Sequence, residues 1–361
     1  MRAMPTGFQP RNMTHVVMLT LMACSLVFAG GKEKDVGIWK PTGLMAPYES
    51  LAAIEVGPQG DLWAIIGYPE ATASLVHSAN GGTTWRTVTE EIIPPPRWDP
   101  PTLLVVDSQN CAWVYAPGWV LSRFSSNGDL LTTVALPTSI PYSECMVSSP
   151  DGYVYRFAAG LERISMNGEV RTTRPNLGDA IYVLSVDSKG TLYAVGTYAF
   201  RSTDGGLTWE TIYKGDHEMR WHGITATPDG TLFLWTSFLG LRSTDGGQTW
   251  TELPFFSEQW LGTIRSLPDG SVGACSARDT YYEPPLPYYG FFRSWDRGNT
   301  WEEWMPGIPK ADYRWCEHVL TYGDRIVYAY FRFVEGSSTP SGLYRMLLPQ
   351  RAGAENDWLR Y

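Results

Sequence analysis

Four near-copies of one eight-residue motif constrain this chain more than any other feature. They are Ser78-Ala79-Asn80-Gly81-Gly82-Thr83-Thr84-Trp85, Ser202-Thr203-Asp204-Gly205-Gly206-Leu207-Thr208-Trp209, Ser243-Thr244-Asp245-Gly246-Gly247-Gln248-Thr249-Trp250 and Ser294-Trp295-Asp296-Arg297-Gly298-Asn299-Thr300-Trp301. A motif that recurs along a chain marks an architecture of stacked repeats. The chemistry of this one is turn chemistry. Short Ser and Asp side chains hydrogen-bond nearby amides, Gly takes backbone angles that cost other residues energy, and Thr-Trp opens a strand with a large ring to bury. The same residue types could hold an ion or ligand, but a hairpin staple is the expectation.

A second repeat interlocks with the first. A turn followed by a strand begins at Gly60, Asn110, Gly152, Gly190, Gly230, Gly270 and Asp324, which makes seven units with a period near 40 residues. Several short strands per unit at that period read as the blades of a β-propeller. A basic residue precedes each later turn: His77, Arg123, Arg163, Arg201, Arg242, Arg293 and Arg345. Each unit parses as four strands, A to D. In the fourth these are Ile181–Val186, Thr191–Val195, Ala199–Ser202 and Thr208–Ile212, short segments bounded by Gly, Asp and Ser. Units two and three keep the turn residues at Ser125–Gly128 and Ser165–Gly168 but lose the Trp. The seventh unit lacks strand D, and Val36–Lys40 is placed to supply it beside Gly342–Leu348. Pairing the two ends in one blade would close the ring and remove two free edges. The expected fold is therefore all-β, a seven-bladed β-propeller of four-stranded antiparallel blades, closed by an N-terminal strand.

The pattern S-x-D-x-G-x-T-W resembles the Asp box, or BNR repeat, of sialidases, two-domain xyloglucanases and some photosystem assembly factors. The likeness covers roughly residues 36–349 as architecture. For sialidases it implies three Arg holding a sugar carboxylate, a Tyr-Glu nucleophile and an assisting Asp. Arg97, Arg220 and Arg314 could imitate the Arg set, and Glu49, Asp99, Glu144, Asp179 and Glu317 supply carboxylates. The sialidase Arg-Ile-Pro motif is absent, and sialidases have six blades rather than seven. A propeller lyase would need a His or Tyr base beside a neutralising Arg, which His222 near Arg220 permits. Fold likeness alone assigns no chemistry, so three readings stand: a ligand-binding propeller, a sialidase-like exo-glycosidase and a non-catalytic assembly scaffold.

With 16 Trp, 20 Tyr and 36 Gly in 361 residues, the chain is aromatic- and turn-rich, and the repeat fills it as a single domain over 30–361. A net charge of −9 without a Lys/Arg run argues against a nucleic-acid partner. Arg2 and Arg11 precede the apolar stretch Val16–Ala29, whose 14 residues fall short of the ~20 needed to span a membrane. Residues 1–29 read as a signal peptide, so the protein is expected to be exported. The alternative is a lipid anchor, because Leu21-Met22-Ala23-Cys24 resembles a lipobox that would end before Cys24. Beyond the leader stand Cys111, Cys145, Cys275 and Cys316. The blade parse puts Cys275 and Cys316 at the same end of neighbouring blades, so a bridge is open to them; buried free thiols are the expectation.

In an up-and-down meander the A–B turns and the boxes share one face, while the D–A and B–C connections share the other. Residues just before strand A gather on that second face. They include Arg97-Trp98-Asp99, Arg220-Trp221-His222, Trp260, and Arg314-Trp315 with Glu317 and His318; the long sixth B–C loop adds Tyr281 and Tyr282. Arg offers forked donors to a carboxylate or sulfate, and Trp or Tyr offers a platform to a sugar ring or peptide side chain. The expected ligand is a glycan or small anion, or else a protein. Packing of the inter-blade corners would use the same residues. No His/Cys/Asp cluster has metal spacing and no cofactor is expected.

Overall fold

The computed structural model describes residues 36–45, 50–67, 73–92, 103–116, 120–136, 146–215, 221–236, 238–256, 260–277, 290–309, 313–333 and 339–349. Residues from Gly37 onward form one compact unit. It consists of seven four-stranded antiparallel sheets. Strand β1 (Lys40–Met45) belongs to the last of them. Blade one is β2 (Ser50–Val56), β3 (Leu62–Gly67), β4 (Ala73–Ser78) and β5 (Arg86–Ile92). Blade two is β6 (Leu103–Val106), β7 (Ala112–Ala116), β8 (Val120–Phe124) and β9 (Leu130–Ala135), and blade three is β10 (Met146–Ser148), β11 (Val154–Phe157), β12 (Leu161–Ile164) and β13 (Val170–Thr173). Blade four is β14 (Val183–Val186), β15 (Leu192–Val195), β16 (Tyr198–Ser202) and β17 (Glu210–Lys214). Blade five is β18 (Gly223–Ala226), β19 (Leu232–Trp235), β20 (Gly240–Ser243) and β21 (Thr251–Glu252). Blade six is β22 (Trp260–Ser266), β23 (Val272–Ala277), β24 (Gly290–Ser294) and β25 (Glu302–Glu303). Blade seven is β26 (Tyr313–Tyr322), β27 (Ile326–Phe333) and β28 (Gly342–Leu347), completed by β1. First strands touch in cyclic order, β2 to β6, β10, β14, β18, β22 and β26, and β26 returns to β2. The chain is a seven-bladed β-propeller.

The closing strand starts later than the sequence suggests. Pairing runs Lys40↔Arg345 and Pro41↔Tyr344, with a bulge before Met45↔Gly342. Residues 37–39 instead bridge two blades. The Gly37 amide donates to Leu347 O at 2.8 Å, while the Trp39 amide donates to Pro306 O at 3.0 Å. The buried Trp39 indole donates to Trp304 O at 2.9 Å. The ring is buried between blades six and seven, edge-on to Phe291 at 5.3 Å and to Phe331 at 5.1 Å, and the two bonds of Trp39 to blade six take it out of the regular seventh ladder, which begins at Lys40. The ladder that follows gives the ring its closure without a free edge.

The core is a series of layers between blades rather than one interior. Trp63, Ile65 and Leu75 of blade one meet Leu104, Val106 and Val114 of blade two. Phe233 and Trp235 of blade five meet Leu261, Ile264 and Phe292 of blade six. At the seam, Tyr328, Tyr330 and Leu343 pack on Leu51 and Ile54. Each fully buried large apolar side chain contributes about 1.5–3 kcal/mol. The expectation of free thiols is corrected: Cys275 on β23 and Cys316 on β26 form a disulfide, with Cα atoms 5.1 Å apart. Strand B of blade six packs directly on strand A of blade seven, which the repeat alone does not reveal. The bridge closes a 41-residue separation, on the scale of loop whose crosslinking stabilises a fold by about 3–4 kcal/mol in the chain-entropy account. Cys111 is a buried free thiol, and Cys145 lies outside the described residues.

Candidate functional site

The box face is the better defined of the two. In each box the Ser hydroxyl oxygen accepts the amide of the second turn Gly, at 2.9 Å for Gly82 and Gly206, 2.8 Å for Gly247 and 2.7 Å for Gly298. The carboxylate takes the Ser hydroxyl and the Thr amide; for Asp204 these are 2.8 and 2.9 Å. Its second oxygen takes the Thr hydroxyl, at 2.6 Å from Thr208 and 2.7 Å from Thr300. The Trp indole closes the turn on the second Gly carbonyl, at 3.1 Å for Trp209. In blade one Asn80 replaces the acid, and its amide reverses one bond by donating to Thr84 Oγ1 at 2.8 Å. Hydrogen bonds from Thr208, side chain first and then backbone, hold Asp204 at about 2. The polar groups of the box are used up inside the turn, as a staple requires.

The boxes also lock blade to blade. A Cβ on Gly206 would strike Leu161 of the preceding blade, and one on Gly247 would lie 2.7 Å from Ile212 Cβ. The Trp250 indole donates to Ile212 O at 2.8 Å. The basic residues ahead of the turns join this network. Arg201 donates to Gly246 O at 3.1 Å, and Arg242 donates to Arg297 O at 2.9 Å, each reaching the next box. Others pair with the acid of their own A–B turn: His77 with Asp61 at 2.7 Å, Arg123 with Asp107 at 2.7 Å, and Arg293 with Asp269. Burial pushes the Asp61 carboxyl up, but hydrogen bonds from His77 and Asn110 outweigh it and hold it below its ordinary value.

On the opposite face the described residues are fewer. Arg97, Trp98, Asp99, Arg220, Tyr281 and Tyr282 lie outside them. Trp221 is described and fully buried. Its indole donates to Thr197 O in the B–C loop of blade four at 3.0 Å and meets the Tyr213 ring edge-on at 5.1 Å. It is an inter-blade anchor, not an open platform. His222 follows it in the chain, exposed, its amide donating to Trp235 O at 2.7 Å. Trp260 opens β22, opposite Ala277. Arg314, Trp315 and Glu317 lie in the first half of β26, within the strand and not ahead of it, with Trp315 in register with Arg332 of β27. His318 is half-buried opposite Tyr330. Strand A thus brings the described members of the set to the start of three successive blades. Elsewhere on this face, Asp179 accepts the Tyr198 amide at 2.7 Å, which pins a B–C loop.

The sequence reading missed a charged layer along the inner strands. Seven residues share one register position, one pair before the A–B turn: Glu55, Val105, Val147, Ser185, Thr225, Arg265 and Thr321. Only Glu55 and Arg265 among them carry charge. Burial raises the Glu55 carboxyl to about 7, against the smaller opposing pull of Arg265 and a hydrogen bond from the Val56 amide. The signal was present in the sequence as two charges at equivalent repeat positions, visible only once the blades are aligned. Among the described residues no group of three His, Cys, Asp or Glu side chains is placed to hold a metal ion, and no helix is long and apolar enough to cross a membrane.

No family description and no curated protein sequence matches this chain. Solved structures match in shape. A catalytically inactive virginiamycin B lyase from Staphylococcus aureus with quinupristin superposes with a TM-score of 0.60 at 14% identity, covering 86% of this chain and 99% of that one. YCF48 bound to a D1 peptide gives 0.57 at 13% identity, covering 89% and 100%. A GH74 xyloglucanase from Xanthomonas campestris gives 0.60 at 13% identity, covering 86% of this chain and 55% of its own. At such identities the likeness is one of fold, and the three neighbours differ in what they do with it.

Proposed function

We propose that this chain is an exported propeller that binds an anionic or glycan-like ligand, held by its carboxylate, on the face opposite the boxes. The observation that carries the reading is the recurrence of Arg-Trp about the start of strand A: Arg97-Trp98 and Arg220-Trp221 come before their strands in the sequence, and Arg314-Trp315 falls in the first three residues of β26. The buried Trp221 supports a division of labour in which the indole anchors the blade corner and the neighbouring Arg serves the ligand. Three guanidinium groups on one rim would suit a carboxylate by forked, charge-assisted bonds. The box face supports this by contrast, since its polar groups are spent on turns. The Cys275–Cys316 disulfide supports export, because such bonds persist in oxidising compartments.

A carboxylate can come from an acidic sugar or from a peptide, and the YCF48 structure with its peptide keeps the second source in view. The test is binding of the purified chain to an array of sialosides, uronides and neutral glycans, beside acidic peptides, with a fluorogenic sialoside to register turnover. Acidic glycans should bind, and Arg97→Ala, Arg220→Ala and Arg314→Ala should each weaken binding by about 1.5–3 kcal/mol at unchanged melting temperature. Peptide binding alone would replace the glycan with a protein partner. Sialoside turnover would make the chain a glycosidase. Melting temperatures that fall in all three variants, with binding proportional to folded protein, would make these Arg structural.

A further inference from the structure

Trp295 stands in the box of blade six where the other three boxes carry Ala79, Thr203 and Thr244. It is 55% exposed. Yet the ring is held on three sides. The Arg293 guanidinium lies over one face, 3.8 Å from the centroid. The indole N–H donates to Glu302 Oε1 at 3.0 Å. The Trp304 ring meets it edge-on at 6.2 Å between centroids. Arg293 is itself fully buried, paired with Asp269, donating from Nε to Ser271 Oγ at 2.8 Å, and covering Trp304 at 4.5 Å. An exposed tryptophan so fixed has lost little freedom left to lose on binding, which is how rigid aromatic anchors gain affinity.

Glu302 and Trp304, two of the groups that hold this ring, also line an open cleft of about 700 Å³ with Glu303, Gly37 and the turn 305–308. A platform beside a cleft with exposed carboxylates suits two ligand chemistries, a sugar ring or a cationic side chain. The charges separate them. One face of Trp295 already carries a guanidinium, so a second cation on the other face would meet that charge through a ring whose negative face is already engaged. An anionic sugar would be repelled by Glu302 and Glu303. A neutral sugar meets neither obstacle: its C–H face stacks on the indole, and its hydroxyls donate to carboxylate oxygens.

We propose that Trp295 and the Glu302–Trp304 cleft form a binding site for a neutral oligosaccharide on the rim of blade six. The site is separate from the carboxylate site of the opposite face and does not rest on it. The test uses saturation-transfer NMR and calorimetry on the full chain, with cello-, xylo-, manno- and malto-hexaose as probes. At least one should bind. Trp295→Ala should weaken it about tenfold or more, a loss on the scale of one aromatic platform, whereas Trp295→Tyr should retain most of it. Glu302→Gln keeps an acceptor for the indole and for sugar hydroxyls, so binding should persist; a cationic ligand would lose its counter-charge. Arg314→Ala should leave this binding unchanged, so that failure at one face is not read as failure at the other. No binding by any of the four sugars, equal binding by Trp295→Ala, or preference for an Arg-rich peptide that Glu302→Gln abolishes would overturn the assignment.

Discussion

The boxes of blades four and six are built on the same hydrogen-bond frame and do different things with it. Ser202 and Ser294 accept the same Gly amide, and Asp204 and Asp296 take the same Thr pair. In blade four two of the three remaining positions are small, Thr203 and Gly205, and the third is the exposed Leu207. In blade six they are Trp295, Arg297 and Asn299. The basic residue ahead of the turn differs too. Arg201 is 27% exposed against a Glu210 that is 66% exposed. Arg293, at the equivalent place on its strand C, is fully buried beside Asp269. A turn whose stability is secured by its own backbone and three short side chains, Ser, Asp and Thr, leaves its other positions free to change, and blade six has used that freedom to set out an aromatic surface.

The largest expected effect tests the buried half of this contrast. Arg293→Ala leaves the Asp269 carboxylate buried without its partner and should cost about 3–5 kcal/mol, whereas Arg201→Ala removes a half-buried bond to Gly246 O and a pair with the exposed Glu210 and should cost about 1–2 kcal/mol. Urea unfolding of both variants measures the difference, and equal costs would erase it. Next in size is the shared frame. Asp204→Ala deletes bonds to Ser202, Leu207 and Thr208 and should lower stability by about 1–2 kcal/mol; a value near zero would mean that the glycines alone set the turn.

A third prediction concerns pH. The Glu55 carboxyl sits at about 7 in the folded chain, above its ordinary value near 4.5, so folding favours the protonated form. Stability should therefore fall as pH rises between these values and level off above 7. Glu55→Gln should be neutral near pH 4 and stabilising by about 1–2 kcal/mol near pH 8, with solvent screening of the half-buried group allowed for. Thermal melts at the two pH values decide it, and an equal effect at both would mean that Glu55 does not titrate differently on folding. The smallest effect sharpens the box comparison. Arg297 has φ of 62° where the other boxes place Gly, so Arg297→Gly should gain about 0.5–1 kcal/mol by relieving left-handed strain. Its exposed pair with Asp229 should give back only part of that.

The blades were legible in the sequence because each strand-turn unit repeats the same few residues, and repetition at a fixed period leaves little else for the chain to form. The parse of blade four agrees with its strands to within two residues at each end. Closure was legible as a missing strand and a spare one, but its register was not. Trp39 is wedged between blades six and seven and bonded to Trp304 O and Pro306 O, 265 residues or more along the chain, and no local pattern encodes that. The Cys275–Cys316 bridge escaped for the same reason: the parse gave neighbouring blades and a common end, not the closeness of β23 to β26. Trp221 shows where the site reading was coarse. Its place before strand A was read correctly from the repeat, yet the indole is buried as an anchor, and a residue type that serves equally as wedge and platform does not declare which. Apart from the recurring Arg-Trp pair, the loops before strand A carry no period, so the repeat that orders the strands is silent about the rest of them.

The central proposal is that the hydrogen-bond frame of the boxes holds the ring, with the Trp295 platform an addition confined to blade six, while the opposite face holds a carboxylate ligand. Asp204→Ala and Arg314→Ala, compared side by side for melting temperature and for acidic-glycan affinity, test it most directly. The account predicts a lower melting temperature with unchanged affinity for Asp204→Ala, and an unchanged melting temperature with affinity weakened by about 1.5–3 kcal/mol for Arg314→Ala. The reverse pattern, with binding lost at Asp204 and stability lost at Arg314, would contradict it.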